Sequence, residues 1–149
     1  MKSSDVRYTP PEAWRKFERL TGVEWASAMD ACPKNFKVDM LRTKWTEKRY
    51  YCNPPFSMSR YFVQKILDEL ARPGGPDEVL LLLPWYQWED VESRVTSLPK
   101  WAVRAQNEMK PYLKSTHSIY VKFMHPDGWQ FKRPYHVYIT HLKAVSPPE

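Results

Sequence analysis

The residues of this sequence best suited to chemistry form the run Asn53-Pro54-Pro55-Phe56. An Asn side chain carries an amide oxygen that accepts a hydrogen bond. A residue followed by proline is restricted to extended conformations, so its backbone carbonyl is a second acceptor with a defined direction. An aromatic ring at the fourth position can stack on a nucleic-acid base. The run therefore offers two hydrogen-bond acceptors and a stacking surface within four residues.

Two acceptors at this spacing suit the activation of an exocyclic amine on adenine or cytosine. Such an amine is a poor nucleophile because its lone pair is delocalised into the ring. Acceptors on its two hydrogens push the nitrogen toward tetrahedral geometry and expose the lone pair. We therefore predict that Asn53, Pro54, Pro55 and Phe56 are catalytic and act on a base taken out of its helix. The alternative is a rigid proline turn with Phe56 packed inside.

The flanking elements should place this run at the end of a strand. Residues Arg49–Cys52 predict a short strand, and Ser57 predicts the cap of a helix whose apolar residues recur at helical spacing. Residues Pro73–Pro76 interrupt that helix. Residues Val79–Leu83 are continuously apolar, as in a strand covered on both faces of a parallel sheet. This order predicts a crossover unit, and ligands of open α/β sheets bind beyond the carboxyl ends of such strands.

The N-terminal part of the chain predicts a helix and a strand. Thr9, Pro10 and Glu12 have the spacing of a capping box with proline at the first helical position, and Thr21-Gly22 ends the helix. Residues Val23–Met29 predict a strand that ends at Asp30.

The C-terminal part predicts two alternating strands, Ser118–Met124 and Tyr135–Leu142, as an antiparallel pair. Residues 88–98 predict a helix, and the stretch from there to Lys114 is helix or loop. We expect a single α/β domain over residues 1–149, with both chain ends (1–7 and 145–149) loose.

Composition limits the class of protein. The chain has 149 residues, a formal net charge of +6 and 15% aromatic residues. Basicity favours a polyanionic partner, either nucleic acid or an anionic membrane surface. Neither a leader pattern nor an apolar stretch of membrane-spanning length is present. We expect a soluble intracellular protein, in the cytoplasm or nucleus of a host, whose two cysteines, Cys32 and Cys52, are free thiols.

Several cations flank the Asn-Pro-Pro-Phe run and are candidates for contacts with phosphates: Lys44, Lys48, Arg49, Arg60 and Lys65. Each of them also has the plainer interpretation of a solvated charge. The four histidines are not accompanied by the Cys or acidic spacing of a metal site, and we predict none. The run Trp85–Trp88 follows the leucine-rich strand and would lie at the same sheet edge as Asn53, either as part of a base or cofactor pocket or in ordinary packing.

The sequence also resembles a known family, the phage-type DNA N6-adenine methyltransferases. Its run Asn53–Phe56 looks like the (Asp/Asn/Ser)-Pro-Pro-(Tyr/Phe) motif of amino-methyltransferases. The wider resemblance is carried by Tyr8-Thr9-Pro10, by Met29-Asp30-Ala31-Cys32, by Asn35, by Asp39, Leu41 and Trp45, by Leu80–Pro84, and more loosely by Phe123, Gly128 and Pro134. The chain departs from the pattern where Ala31-Cys32-Pro33 replaces a glycine-rich loop.

The resemblance implies a compact, reduced Rossmann-like methyltransferase fold with a mostly parallel sheet and a C-terminal antiparallel strand pair. It implies that S-adenosylmethionine binds near six residues: Tyr8, Thr9, Pro10, Asp30, Ala31 and Asp39. It also implies DNA as the partner, adenine N6 as the target with cytosine N4 second, and a phage or mobile-element origin, while RNA stays open.

No segment is long enough for a separate target-recognition domain. A homodimer or a partner subunit could supply one. The alternatives to catalysis are a methyltransferase-like nucleic-acid-binding module without activity and a structural subunit of a larger assembly.

Overall fold

The computed structural model of the chain describes residues 7–33, 39–88 and 98–145. Three α-helices and five strands make up these parts of the chain. The helices are α1 (Pro11–Thr21), α2 (Ser59–Ala71) and α3 (Lys100–Met109). The strands are β1 (Met29–Asp30), β2 (Arg49–Cys52), β3 (Glu78–Pro84), β4 (Leu113–Val121) and β5 (Tyr135–Lys143). In the part of the chain that the structure describes, none of the helices is long and apolar enough to cross a membrane.

The five strands form one mixed sheet in the order β1-β2-β3-β5-β4. Strands β1, β2 and β3 are parallel, with Asp30 opposite Tyr51 and Tyr51 opposite Leu80. Strand β5 runs antiparallel to both of its neighbours, so β4 has the same direction as β3. The predicted α/β class and the antiparallel C-terminal pair are therefore confirmed, but the sheet is mixed and not mostly parallel, since two of its four strand pairings are antiparallel.

Apolar residues cover both faces of the sheet. On one face, α2 and α3 pack with Trp45 and Leu81 in a cluster that includes Ile66 and Met109. On the other, α1 packs through Phe17 in a cluster that includes Trp25 and Leu80. All seven residues of β3 are buried. This explains why the run Val79–Leu83 within β3 is continuously apolar, as expected of a strand covered on both faces.

The predicted capping box of the first helix is wrong by one residue. The N-cap is Pro10, no side chain caps the helix, and Pro11 takes the first helical position. Thr9 is not available as a cap because its hydroxyl is hydrogen-bonded to the hydroxyl of Tyr51. The predicted end is confirmed: Gly22 has φ 76° and donates its N–H to the carbonyl of Glu18 at 2.7 Å.

The predicted strand over Val23–Met29 is also wrong, since only Met29–Asp30 pairs with the sheet. The Trp25 side chain is fully buried, and its indole N–H donates to the hydroxyl of Thr21 at 2.9 Å. The N–H of Ala28 donates to the carbonyl of Trp25 at 3.1 Å and closes a turn. Burial of a large ring therefore overrides the local strand propensity.

Ser57 does not cap α2. Residues Phe56–Met58 form a 3₁₀ turn, and α2 begins at Ser59 without a side-chain cap. The N–H of Met58 donates instead to the carbonyl of Pro55 at 2.7 Å. The predicted break after the helix is confirmed, because α2 ends at Ala71 and β3 begins at Glu78.

The main difference between the predicted and observed C-terminal strands is in the bounds of β4. It begins at Leu113, directly after a 3₁₀ turn, and ends at Val121 rather than at Met124. Met124 leaves the strand because it forms an isolated bridge with Tyr8. The undecided stretch before Lys114 contains α3, whereas the helix predicted over residues 88–98 lies largely outside the described residues.

Candidate functional site

The chemistry-bearing residues converge at one edge of the sheet. Asp30 ends β1, Asn53 follows β2, and Trp85 follows β3. These three strands are parallel, so all three positions lie at the same edge. Because β5 is antiparallel to β3, its first residue Tyr135 lies there as well. The edge is the carboxyl end of the parallel strands, where open α/β sheets bind ligands.

A cleft of about 380 Å³ opens at this edge. Four of its lining residues were predicted from sequence: Tyr8, Thr9, Asp30 and Asn53. Eight further residues line it: Arg7, Pro11, Trp14, Cys32, Tyr51, Met124, His125 and Gly128. Segments far apart in sequence therefore form one cavity of the size that small-molecule sites have.

The Asn53 side chain is held in one orientation. Its Nδ2 donates to the main-chain carbonyl of Arg7 at 2.7 Å. Within the described ranges its Oδ1 accepts no hydrogen bond, and neither does the Pro54 carbonyl. One Nδ2 hydrogen is therefore bound to Arg7, and the amide oxygen of this cleft-lining residue remains as an acceptor.

The Phe56 ring lies in a cluster of aromatic rings with one cation. The Arg7 guanidinium lies 4.5 Å from the centroid of Phe56 and 5.2 Å from those of Phe131 and Tyr135. The centroids of Phe56 and Tyr135 are 5.3 Å apart, and Tyr86 meets the Phe56 ring edge-on at 6.2 Å. Phe56 is therefore anchored by ring contacts and by cation–π attraction.

The run Trp85–Trp88 does reach the edge that carries Asn53. Residues Trp85–Gln87 form a 3₁₀ turn, and the Gln87 Nε2 donates to the Phe56 carbonyl at 3.2 Å. The turn therefore contacts the Asn-Pro-Pro-Phe loop through this hydrogen bond but does not line the cleft.

The N-terminal segment crosses the edge as a strap, which we define as residues 7–10. At one end the Arg7 carbonyl binds Asn53, and in the middle Tyr8 exchanges backbone hydrogen bonds with Met124 at 2.7 and 2.9 Å. Thr9 binds the hydroxyl of Tyr51. Arg7, predicted as part of a loose chain end, is therefore tied into the site.

Burial changes the acid–base properties of two phenols, that of Tyr8 in the strap and that of Tyr51, which contacts it. It raises the pKa of the Tyr51 phenol well above its usual value, against the opposing effect of the hydrogen bond from Thr9. Burial, and then the charge of Asp30, raise the pKa of Tyr8. Both phenols are therefore neutral hydrogen-bonding groups at physiological pH.

The Asp30 carboxylate has only part of its hydrogen-bonding capacity used. Its Oδ1 accepts from the Cys32 N–H at 2.8 Å, and no donor among the described residues reaches Oδ2. Burial raises the pKa of Asp30, and the Cys32 N–H only partly offsets this effect. A carboxylate oxygen that no described protein group binds favours a cationic or hydroxyl-bearing ligand.

The two thiols lie beside this carboxylate and are not bonded to each other. Their sulfur atoms are 3.9 Å apart, and both cysteines are free, as predicted. Burial raises the pKa of the Cys32 thiol well above its usual value, and the neighbouring Cys52 adds to the rise. Cys32 therefore lines the cleft as a neutral thiol.

Three residues predicted to bind a cofactor do not line the cleft. Pro10 is buried at the start of α1. Ala31 is fully buried, and its N–H donates to the Tyr51 carbonyl at 2.8 Å. Asp39 lies in a surface turn, where its Oδ1 accepts from the Leu41 N–H at 3.0 Å. These contacts show Asp39 as a turn residue and not as part of the cleft.

The predicted phosphate contacts are not gathered around the loop. Lys48 and Arg49 lie at the amino end of β2, the edge opposite Asn53, and Arg49 Nε is 2.8 Å from Glu78 Oε2. Lys44 is exposed before β2. Lys48 and Arg49 are close to Asn53 in sequence but not in space, because β2 lies between them and carries its first and last residues to opposite edges of the sheet.

The remaining two predicted cations, Arg60 and Lys65, line a second cleft between α2 and α3 of about 430 Å³. Lys65 Nζ is 2.6 Å from Glu69 Oε1. Only Arg60, in the first turn of α2, stays next to the Asn-Pro-Pro-Phe loop.

Several cleft residues were not predicted, because nothing in the sequence around them indicates a functional role. Arg7 falls in a polar chain end, Trp14 and Tyr51 look like ordinary core rings, and His125 looks like a turn residue. Only the Tyr8-Thr9-Pro10 motif, which adjoins Arg7, pointed toward this segment. Within the described segments, His, Cys, Asp and Glu side chains do not form a group of three that could hold a metal ion.

Comparisons of the chain with protein-family models, with curated proteins and with solved structures found no match.

Proposed function

We propose that this protein transfers a methyl group from S-adenosylmethionine to an exocyclic amine of a nucleic-acid base, with adenine N6 in DNA as the target. The observation that carries the proposal is the state of Asn53. Its amide nitrogen is bound to the Arg7 carbonyl at 2.7 Å, and its oxygen is left as an acceptor in the cleft. An amide held in this way is set to accept a hydrogen bond from an amine.

The Pro54 carbonyl is the candidate for a second acceptor, although Pro54 is buried and, like Pro55 and Phe56, does not line the cleft. The Pro54 carbonyl directly precedes Pro55, which has φ −53° and ψ 135°, and proline restricts the conformation of the residue before it. Hydrogen bonds from the two amine hydrogens to Asn53 Oδ1 and to this carbonyl would localise the nitrogen lone pair. Such acceptors, held in place before the reaction, lower the barrier without reorganising.

The cleft fits the proposed cofactor by the chemistry of its lining. When bound, S-adenosylmethionine supplies an electrophilic methyl group on a positively charged sulfur. The Asp30 Oδ2 would hold its ammonium group or a ribose hydroxyl, since burial raises the pKa of Asp30 and a bound cation would favour its ionised form. Trp14 and Met124 offer apolar walls, and Thr9 and Tyr8 offer hydroxyls.

The charge of the protein supports a nucleic-acid partner. The net charge of +6 favours a polyanion, and Arg60 lies one turn from the loop. Cytosine N4 has the same two amine hydrogens and is the second target. A second copy of the chain or a partner subunit would supply target recognition.

The first test is calorimetric titration of the protein with S-adenosylmethionine. We expect micromolar binding that Asp30→Ala loses and that Asp77→Ala, a change at an exposed carboxylate near the opposite sheet edge, retains. Methyl transfer to adenine-containing oligonucleotides should then fall by about 100-fold or more in Asn53→Ala. The matched control Asn107→Ala alters an exposed amide on α3. A folded protein without cofactor binding would exclude catalysis by this chain.

The alternative function is a nucleic-acid-binding module without methyl transfer. The observation favouring it is that the Arg7 guanidinium already lies over the Phe56 ring at 4.5 Å, so this face is not open to a base. The buried Ala31 in place of a glycine also limits a close backbone approach after β1. DNA binding without measurable cofactor binding would favour this alternative.

A further inference from the structure

The loop that connects β4 to β5, residues 122–134 (the connecting loop), presents a large ring at its surface. Trp129 is 50% exposed. Its ring is stacked on His125, with centroids 4.4 Å apart and planes 8° apart. Phe131 contacts the same ring at 4.8 Å. Trp129 is thus supported on one side and open to solvent on the other.

Backbone hydrogen bonds order the connecting loop. The His125 N–H donates to the Trp129 carbonyl at 2.7 Å, and the Phe131 N–H donates to the Phe123 carbonyl at 2.9 Å. The Gln130 Nε2 donates to the Lys122 carbonyl at 2.9 Å. The position of the Trp129 ring is therefore set before any partner arrives, which lowers the entropic cost of binding.

The connecting loop adjoins the candidate site. Met124, His125 and Gly128 line the cleft that contains Asn53. Phe131 lies under the Arg7 guanidinium, which also covers Phe56. Trp129 therefore stands at the rim of the cleft, next to the place proposed for the target base.

The positive charge of the connecting loop favours a nucleic acid as its partner. Lys122, Lys132 and Arg133 are exposed, and Asp127 is the only acidic residue of the loop. Surfaces that bind single-stranded nucleic acid combine such cations, which follow the phosphates, with rings on which bases stack. The centre of a protein–protein interface, by contrast, is depleted of lysine.

We propose that the connecting loop binds a single-stranded stretch of DNA beside the target base, with a base stacked on Trp129 and phosphates on Lys132 and Arg133. This inference rests on the proposed function for the direction of the strand, which leads to Asn53. Its test requires neither cofactor nor methyl transfer.

The test is fluorescence anisotropy of a labelled single-stranded 12-nucleotide DNA titrated with the protein at several salt concentrations. Base–aromatic stacking contributes enough that Trp129→Ala should raise Kd about 5- to 150-fold, while Trp129→Phe should recover most of the loss. Arg133→Ala should reduce the slope of log Kd against log salt by about 0.7.

The matched control is Tyr120→Ala. This ring is 60% exposed and is also stacked on a histidine, His136, at 4.8 Å, but it lies on β4 and lines no part of the cleft. We expect its Kd to stay within twofold of the wild type. Circular dichroism verifies that each variant is folded.

Equal losses in Trp129→Ala and Tyr120→Ala, or no loss in either, would overturn the proposal, as would a wild-type protein without affinity for single-stranded DNA. Tighter binding to RNA of the same sequence would overturn the assignment to DNA. A wild type that binds the oligonucleotide through Trp129 but not S-adenosylmethionine would refute methyl transfer and leave this inference standing.

Discussion

Asn53 donates a hydrogen bond from Nδ2 to the main-chain carbonyl of Arg7, 2.7 Å away and 46 residues earlier in the chain. The same arginine places its guanidinium 4.5 Å from the centroid of Phe56. One residue of the strap therefore contacts both ends of the Asn-Pro-Pro-Phe loop. Its backbone orients the acceptor and its side chain holds the ring.

We expect Arg7→Ala to lower kcat for methyl transfer about 3- to 30-fold, because cation–π contacts contribute about 0.5–2 kcal/mol. Arg7→Lys should recover only part of the loss, since an ammonium lacks the planar face of a guanidinium. Hydrogen exchange of the peptide containing residues 53–58 should become faster in Arg7→Ala. Arg15→Ala, at an exposed arginine of α1, is the control. Unchanged exchange would show that Arg7 does not order the loop.

Asp30→Asn should stabilise the protein in the absence of ligand while weakening cofactor binding. Burial raises the folded-state pKa of Asp30 above the ordinary value of 3.8, so ionisation in the folded state is disfavoured. Asp30 therefore adds stability below pH 3.8, and this contribution is lost as pH rises through the folded-state pKa. Thermal unfolding near pH 7 should show a higher Tm for Asp30→Asn than for wild type, and no change for Asp77→Asn. A lower Tm would contradict this account.

The buried pair of Glu78 and His141 should make the fold sensitive to acid. Burial opposes ionisation of Glu78, but hydrogen bonds from Arg49 at 2.8 Å and His141 at 3.0 Å outweigh it and lower its pKa. Burial lowers the pKa of His141 below 6.5, against the effect of Glu78. The folded-state pKa values of Glu78 and His141 both lie below their unfolded-state values. Each group therefore stabilises the fold above its unfolded-state pKa, and this contribution is lost as pH falls through its folded-state pKa.

Urea unfolding of the wild type should accordingly give a decreasing free energy of unfolding from about pH 6.5 downward, and again below about pH 4.5. Glu78→Gln should lower this free energy at pH 7.5 by about 1–3 kcal/mol and weaken its pH dependence. Glu108→Gln, at an exposed position of α3, should change neither. A pH dependence that is the same in wild type and Glu78→Gln would exclude this pair as its source.

Gly75→Ala should destabilise the fold by about 3 kcal/mol, because a Cβ there would lie 2.0 Å from the Glu69 carbonyl oxygen. Gly74→Ala meets no such contact, but its φ of 78° would cost about 1–2 kcal/mol for a residue with a Cβ. Denaturant titration of the two variants separates steric overlap from backbone strain. A smaller loss for Gly75→Ala than for Gly74→Ala would contradict the close approach of Gly75 to the Glu69 carbonyl of α2.

Local patterns in the sequence determined much of this protein. The apolar run Val79–Leu83 identified a strand buried on both faces, Thr21-Gly22 ended α1, and the Asn-Pro-Pro-Phe loop fell between a strand and a helix as expected. These features depend on neighbours within a few residues, so periodicity and turn chemistry report them directly.

Only the tertiary structure decided the rest. Trp25 converts a predicted strand into a turn because its ring fills the core, and Thr9 gives up its capping role because it binds Tyr51. Arg7 joins the site through its contacts with Asn53 and Phe56, whereas Lys48 and Arg49 lie away from it because β2 carries its two ends to opposite edges of the sheet. Contacts between distant parts of a chain depend on the packing of whole elements, and a single sequence gives no local sign of them.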